Sequence, residues 1–165
     1  MTMTEDADVD RGATDELLAG LRQLGADLAF NRHLGVEVDH LEVGSCRTRL
    51  PHDARLTNHV GNVHAIAELA PVELAGALAV ASRLSVLLER GLVPVVRSLE
   101  VRYLAPAPGM LVASAAVGAE VIDAALAALD EGHRPRAPVH VEVHDEQGTS
   151  VAVADVVFVF VPPTG

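Results

Sequence analysis

The chain has 165 residues, of which 50% are hydrophobic and only 2% are aromatic. This length is enough for one domain with a core, which must be built mainly from valine, leucine and alanine. The formal net charge is −11 at neutral pH, which argues against a nucleic-acid-binding protein, because such a protein needs a basic face. A small anionic ligand remains compatible with this charge, since a few local arginines are enough to bind one.

Cys46 is the only cysteine, so no disulfide can form within the chain. The single cysteine and the lack of a signal-peptide pattern predict a cytoplasmic protein. No window approaches the ~18 uncharged apolar residues of a membrane span, so no membrane association is expected. For Cys46 itself, the role of a small buried hydrophobe is favoured over that of a nucleophile.

The N-terminal part of the chain is predicted to form one peripheral helix. Residues 1–12 are acidic and lack apolar periodicity, which predicts a disordered segment ahead of a single domain over 13–165. Thr14 is a suitable N-cap, and leucines then recur on one stripe until the helix ends before Gly35.

A hairpin and a long helix follow. Weak alternation over 36–50 predicts two strands. The helix after them is predicted to run to about Arg90, with Gly91 as its stop. Pro71 removes one backbone hydrogen bond, so the regular helix is expected to begin near it. Small residues recur along this helix, which indicates that other elements approach it closely; they are Ala65, Ala67, Ala70, Ala75, Gly76, Ala77, Ala79 and Ala81.

The rest of the chain is predicted to be mainly β-structure. Valine-rich runs predict four strands, with a short helix between the second and the third. No internal repeat and no second domain boundary are visible. The strands are expected over 93–104, 110–119, 138–144 and 149–161, and the helix over 121–130.

Four residues before and within the long helix are spaced as in a known family. Asn58, Gly61, His64 and Glu73 match the Asn, the Gly, the His and the acid nine residues after the His in the hotdog-fold acyl-CoA thioesterases. The chain resembles the PaaI-like branch of that family. The segment 98–109 also resembles the family's next strand and its Pro-Ala turn. This resemblance covers about residues 35–161.

The resemblance implies an α+β hotdog fold. In that fold, an antiparallel sheet wraps around one long central helix, and here an N-terminal helix is added. The family's active sites lie between two subunits, and the sheet would have an open edge, so a homodimer is implied, which could pair again into a tetramer. The implied substrate is an acyl-CoA or a related thioester, and no cofactor or metal is implied.

The residues at the matching positions suit thioester hydrolysis. Glu73 has apolar neighbours, so burial should raise its pKa, and it could deprotonate a water or attack the thioester directly. The backbone N–H of Ala65, at the helix start, is the expected oxyanion donor in place of the family's glycine. Asn58 could position the water or the carboxylate. His64 is favoured as a residue that shapes the turn over one that acts as a second acid or base.

The chain departs from the family at three places. His-Gly-Gly is replaced by His64-Ala65-Ile66, and Ile66 could narrow the site. Pro71 is not part of the pattern. Some relatives hold the attacking water with a Ser or Thr on the strand after the helix. Here that position is Val96, with Ser98 expected two residues on and on the same face.

Other polar residues are given less specific roles. Glu68 is expected at an interface or in solvent, about 140° around the helix from Glu73. His140, Glu142 and His144 alternate with valines, which favours a solvated sheet face over a metal site. The candidate substrate-binding residues are Gly61, Ile66, Val96, Ser98, Arg134 and Arg136.

Two functions are therefore compatible with the sequence. In the first, an acyl-CoA thioesterase, the loop arginines Arg134 and Arg136 are favoured for the phosphates of CoA over Arg97 and Arg102, which lie on a strand. The alternative is a non-catalytic protein that binds an acyl group or another small ligand, in which the departures from the family have closed the site. Neither a nucleophile elbow nor a P-loop is present.

Overall fold

The computed structural model describes residues 3–163, with side chains from residue 12 onward. Within this range, helices come first and strands dominate the second half. The bounds are Met3–Asp27 (α1), Ala29–Leu34 (α2), Glu37–Glu42 (β1), Ser45–Leu50 (β2), Leu69–Arg83 (α3), Ser85–Glu89 (α4), Val93–Tyr103 (β3), Leu111–Ala116 (β4), Glu120–Asp130 (α5), Arg136–Asp145 (β5) and Ser150–Val161 (β6).

The six strands form one antiparallel sheet in the order β1-β2-β4-β5-β6-β3. Alternate residues of each inner strand face α3, as on β5, where Val139, Val141 and Val143 are buried while His140 and Glu142 are exposed. A single sheet curved around one central helix is the hotdog arrangement, so the predicted fold class is confirmed. The predicted hairpin, the four later strands and the helix α5 are also confirmed, with ends that differ by a few residues.

Small side chains allow α3 to lie directly on the inner face of the sheet. Ala75 and Ala79 are fully buried there. A Cβ added at Gly76 would lie 2.9 Å from Cε2 of Phe158 on β6, closer than real Cβ atoms approach, so only glycine fits without a shift. The recurrent small residues of the sequence are thus explained by close helix–sheet packing.

Pro71 lies in the first turn of α3, where the missing N–H would have had no intrahelical acceptor. Its carbonyl accepts a 2.7 Å hydrogen bond from Oγ1 of Thr48, a buried residue of β2. The proline is therefore accommodated in the first turn, two residues after the first helical residue, Leu69.

The prediction of one continuous helix to Arg90 is wrong. α3 ends at Arg83, and α4 begins at Ser85 after a break at Leu84, with φ −107° and ψ 35°. Oγ of Ser82 donates to the carbonyl of Ala79 at 3.1 Å, a back-bond of the kind that bends helices. Leu84, at this break, is fully buried.

The first helix also differs from its predicted limits. α1 begins at Met3, ahead of the predicted cap at Thr14, and the chain breaks at Leu28 before α2. Gly35, with φ +77°, ends α2 as a left-handed C-cap. The division of the chain into a disordered segment and a domain at residue 12 stays a prediction.

Candidate active site

The loop before α3 is organised by Asn58. Its Oδ1 accepts hydrogen bonds from the N–H groups of Val60, at 3.0 Å, and Asn62, at 3.2 Å. Its backbone N–H donates to the carbonyl of Asn62 at 2.7 Å, and its carbonyl accepts from the N–H of Gly61 at 3.1 Å. Gly61 has φ +82°, a value that suits glycine. The amide oxygen of Asn58 is therefore occupied by hydrogen bonds within the loop, and within the amide group only Nδ2 could hold a water.

The turn that leads into the helix leaves one N–H available. Among the described residues, no hydrogen-bond acceptor lies on the N–H of Ala65, whereas the carbonyl of Ala65 accepts a 2.7 Å hydrogen bond from the Tyr103 hydroxyl on β3. Tyr103 thus holds the peptide next to the free N–H. A fixed, unpaired N–H at a helix start is what an oxyanion donor requires.

His64 shapes this turn. Its Nδ1 accepts a 3.2 Å hydrogen bond from the N–H of Ile66, and its carbonyl accepts from the N–H groups of Ala67 and Glu68. Because Nδ1 is an acceptor, the neutral ring carries its proton on Nε2. These contacts agree with the turn-shaping role expected for His64.

Glu73 lies one turn into α3, and its side chain is exposed in the single chain, not enclosed on nearly all sides as the sequence suggested. Its pKa is nevertheless raised, and the cause is desolvation. The carboxyl lies on the wall of a cleft of about 310 Å³ whose other lining residues are apolar. A raised carboxyl pKa brings Glu73 closer to the range of a base that works near neutral pH.

The cleft lies between the C-terminal half of α1 and the exposed side of α3. Among the residues with described side chains, Glu73 is its only ionisable lining residue, and no aromatic side chain lines it. The lining residues are Leu21, Leu24, Gly25, Leu28, Glu73, Leu74, Ala77, Leu78, Ala81, Leu88, Val93 and Pro94. The leucine stripe of α1 was visible in the sequence, but its partner on α3 was not.

Ile66 does not line this cleft in the single chain. Its side chain is 65% exposed and contributes to a separate groove of about 390 Å³ together with Phe30, Leu34 and His64. In the single chain, Ile66 therefore does not narrow the cleft beside Glu73.

The expectation that Glu68 lies in solvent is wrong. The residue is only 5% exposed, and no partner for its buried Oε2 exists among the described residues. Burial raises the pKa of Glu68 to about 7. The Glu68 charge also helps to raise the pKa of Tyr103, after desolvation. The sequence hid this burial because the turn before α3 is not helical, so helical angles do not apply to it.

Val96 and Ser98 do not share a face of β3, contrary to expectation. Val96 pairs with Phe158 on the inner side, whereas Ser98 pairs with Val157, because a bulge at Arg97 inserts one extra residue. A bulge shifts the two-residue alternation by one. The two residues therefore cannot replace each other in holding a water.

Arg134 and Arg136 lie around one cavity together with Arg97 and His133. The cavity has a volume of about 490 Å³ and lies between α5 and the sheet, with Ala124, Ala128 and Val159 as its apolar part. No acidic side chain within residues 12–163 pairs with the three guanidinium groups. Arg102 does not line the cavity. Arg97 is the residue that the bulge leaves between Val96 and Ser98, and Val95, two residues before it, pairs with the lining residue Val159.

The remaining candidates behave as ordinary structural residues. Cys46 is buried, and burial raises its pKa to about 12, which is unsuitable for a nucleophile. His140 pairs with Asp155 at 2.8 Å on the exposed sheet face.

In the described part of the chain, no group of His, Cys, Asp and Glu side chains is arranged to hold a metal ion. No helix in the same part is both long and apolar enough to span a membrane.

Comparison with solved structures identifies the class to which this fold belongs. The Pseudomonas aeruginosa protein PA5026, described as a probable thioesterase, has a TM-score of 0.74 and 26% identity, with 85% of this chain and 92% of that chain covered. The E. coli PaaI protein has a TM-score of 0.66 and 18% identity, with 89% and 98% covered. The chain therefore has the fold of the hotdog thioesterases, as its resemblance to them implied.

Sequence comparison gives the family. Residues 22–159 match DUF4442, a domain of unknown function, and the chain belongs to this family. A Halobacterium salinarum protein named "Putative esterase VNG_1336C" is 34% identical over 106 residues, which make up 62% of this chain and 69% of that protein. Together, these relatives support a thioester hydrolase at the level of the family.

Proposed function

We propose that this protein is an acyl-CoA thioesterase whose active sites are shared between the two subunits of a homodimer. The observation that carries the proposal is the pairing of two features. Glu73 is a desolvated carboxylate on an apolar cleft, and Ala65 offers an unpaired N–H at the start of the same helix. The probable thioesterase and the putative esterase among the relatives support this proposal.

The position of Ala65 argues for a shared site. Ala65 lies in the turn before α3, and the helix from Leu69 to Glu73 alone rises about 6 Å. A thioester carbonyl bound to the Ala65 N–H is therefore separated from Glu73 of the same chain by this turn and by the first turn of the helix. A two-fold axis beside the helix start removes this problem, because it brings Ala65 of one subunit towards Glu73 of the other.

In the reaction, Glu73 removes a proton from a water, whose oxygen adds to the thioester carbonyl carbon. Alternatively, the Glu73 carboxylate adds directly, and water then cleaves the resulting anhydride. In both cases the carbonyl oxygen becomes negative and is stabilised by the Ala65 N–H. The C–S bond then breaks. In the water route, the leaving thiolate takes the proton that Glu73 removed; in the direct route, it takes a proton from solvent as the anhydride forms, before water cleaves the anhydride. Asn58 Nδ2 is the free amide donor that could orient the water.

The phosphates of CoA are assigned to the cavity lined by Arg134, Arg136 and Arg97. Unpaired guanidinium groups suit phosphate oxygens, because they donate two parallel hydrogen bonds. Their convergence is notable in a chain with a net charge of −11. His133 adds a further donor, and the alanines of α5 offer an apolar surface to a base.

Replacement of Glu73 tests the proposal. Glu73→Gln keeps the size of the side chain and removes the base, so thiol release from acyl-CoA should fall by roughly 10²–10⁴-fold. Binding of an unreactive thioether analogue should change little. The matched control is Glu142→Gln, the same change on an exposed residue of the opposite sheet face. Retention of most of the activity by Glu73→Gln would show that another group is the base.

Wild-type protein that releases no thiol from any acyl-CoA, yet binds the thioether analogue, would instead be a non-catalytic binding protein. The same thiol-release and binding measurements therefore separate the two functions.

A further inference from the structure

The geometry points to a linear, medium-length aliphatic acyl group as the part of the substrate that fills the cleft between α1 and α3. This inference rests on the proposed function, because it takes Glu73 as the group beside the thioester. It goes further by naming the acyl class, which the family match leaves open.

The shape of the cleft follows from small residues on one row of α3. Glu73, Ala77 and Ala81 are spaced four residues apart and therefore lie one above the other on the same face. Both alanines line the cleft. Because the side chains of the two alanines are only methyl groups, they leave a channel between α3 and α1 that leads away from the Glu73 carboxylate. A larger residue at either position would fill this channel.

The opposite wall is provided by α1. Leu21 and Leu24 lie on the same side of α1 and line the cleft together with Gly25 and with Leu28, the residue that follows the helix. A Cβ at Gly25 would lie 3.2 Å from Cδ1 of both Leu74 and Leu78, so this glycine lets the two helices approach closely at the base of the channel. Leu24 is nevertheless 58% exposed, which is unusual for the buried stripe of an amphipathic helix.

The channel has the dimensions of an alkyl chain. Eight residues of helix, from Glu73 to Ala81, span about 12 Å. An extended chain with single bonds of about 1.5 Å advances a little less than that per carbon, so roughly eight to ten carbons fill it. The lining is entirely aliphatic apart from Glu73. A carboxylate at one end of such a channel suits a reactive carbonyl there and an uncharged tail along the rest.

The test uses S-alkyl pantetheine thioethers, which carry the arm that is common to coenzyme A and acyl carrier proteins and cannot be hydrolysed. Binding to the full-length protein is measured by calorimetry for alkyl chains of two to fourteen carbons. The affinity should rise up to about fourfold per methylene and level off at roughly eight to ten carbons. Equal affinity for ethyl and octyl chains would overturn the inference, and so would an increase that continues to fourteen carbons.

Two variants test whether the rise in affinity with alkyl chain length comes from binding in the cleft. Ala77→Phe fills the channel and should weaken octyl binding at least tenfold, with ethyl binding changed less than twofold. Its control is Ala127→Phe, the same change on an exposed position of α5, which should alter neither. Leu24→Ser, on the exposed wall, should weaken octyl binding several-fold and is expected to fold even if Ala77→Phe does not. Unchanged chain-length profiles in Leu24→Ser and in folded Ala77→Phe would place the alkyl group elsewhere.

The two proposals fail in different ways. Octyl binding that responds to these variants, without hydrolysis of any thioester, would leave the acyl site in place and remove the thioesterase. Hydrolysis that does not depend on chain length would leave the thioesterase in place and remove the acyl site. If a second copy of the chain fills the cleft, Leu24→Ser will change the sedimentation coefficient and the alkyl series will show no trend, which also contradicts the inference.

Discussion

Glu68 and Glu73 are five residues apart, yet their carboxyls have different surroundings. Glu68 belongs to the same turn as Ala65 but is buried, and its Oε2 has no partner among the described residues. Glu73 borders an open cleft. Desolvation raises the pKa of both, but only Glu73 can reach a substrate from the surface. At the scale of single residues, accessibility therefore favours Glu73 over Glu68 as the proposed catalytic carboxylate.

Glu68 should make stability depend on pH. Below pH 4.5 the group is protonated in both the folded and the unfolded chain, and it has no net effect. As the pH rises towards 7, the unfolded chain releases this proton while the folded chain keeps it, because its pKa is about 7. Stability is therefore lost across this window and stays lower above it. The loss amounts to about 3 kcal/mol at most, since one pKa unit corresponds to about 1.4 kcal/mol.

Glu68→Gln should remove this slope. The unfolding free energy of both proteins is measured in urea at fixed protein concentration. As the pH rises from 4.5 to 7, wild type should lose stability relative to the variant. Any cost of burying the amide is the same at each pH and does not affect the comparison. Parallel pH profiles for the two proteins would show that Glu68 is ionised or solvated in the folded state.

The Tyr103 hydroxyl should matter for catalysis more than for stability. Tyr103→Phe removes the hydrogen bond to the Ala65 carbonyl, which should cost about 1 kcal/mol of stability. It also frees the peptide next to the oxyanion donor, so kcat should fall roughly tenfold with KM nearly unchanged, because the donor acts mainly on the transition state. A change in KM alone would show that Tyr103 contacts the substrate instead.

At the scale of elements, the contact between α3 and the sheet can be tested at Gly76. Gly76→Ala gains about 1 kcal/mol of helix propensity but pushes a methyl group into Phe158. The overpacking should dominate and destabilise the protein by about 1–3 kcal/mol in urea unfolding. Phe158→Leu should cancel part of this loss when the two changes are combined. Additive effects in the double variant would mean that the two side chains do not compete for space.

Most elements could be predicted from the sequence, because their signals are local. Alternating valines identify β5 and β6, and Gly44 marks the hairpin turn. The breaks depend instead on contacts between distant residues. Arg83 donates to the carbonyl of Val117 at 3.2 Å, next to the point where α3 gives way to α4. Nothing near Arg83 in the sequence indicates such a contact, so a continuous helix was the natural prediction.

The candidate site could be predicted in part for the same reason. The local turn around His64, the free N–H of Ala65 and the raised pKa of Glu73 follow from motif spacing and apolar neighbours. Three other features depend on contacts between segments that are far apart in sequence. They are the hydrogen bond from the Tyr103 hydroxyl to the Ala65 carbonyl, the burial of Glu68, and the cleft that α1 forms with α3. Such contacts depend on the tertiary arrangement, which residue patterns alone do not specify.

At the scale of the whole molecule, the two sheet edges differ. β1 is short, carries a bulge at Asp39 and is rich in charge, with Glu37 and Glu42 at its ends, which are features that prevent edge pairing. β3 is 11 residues long and leaves Val95 and Val96 exposed. β3 also carries a bulge, at Arg97, and charged residues. Its greater length and its exposed valines are nevertheless features of an edge that is usually covered, so we expect β3 to pair with its symmetry mate and the protein to sediment as a dimer of 17.3 kDa chains.

The charges on β3 suggest a register for this pairing. A two-fold axis at Val101 would place Glu100 of each subunit opposite Arg102 of the other, and both side chains are exposed in the single chain. Glu100→Arg or Arg102→Glu would then put like charges together at two symmetric positions and should weaken the dimer roughly tenfold. The double exchange should restore it, because the pairs are complementary again. Sedimentation across a dilution series measures all four proteins, and thiol release should follow the dimer fraction, since the site is shared. An active wild-type monomer at micromolar concentration would contradict the shared site, and a double variant weaker than either single variant would exclude this register.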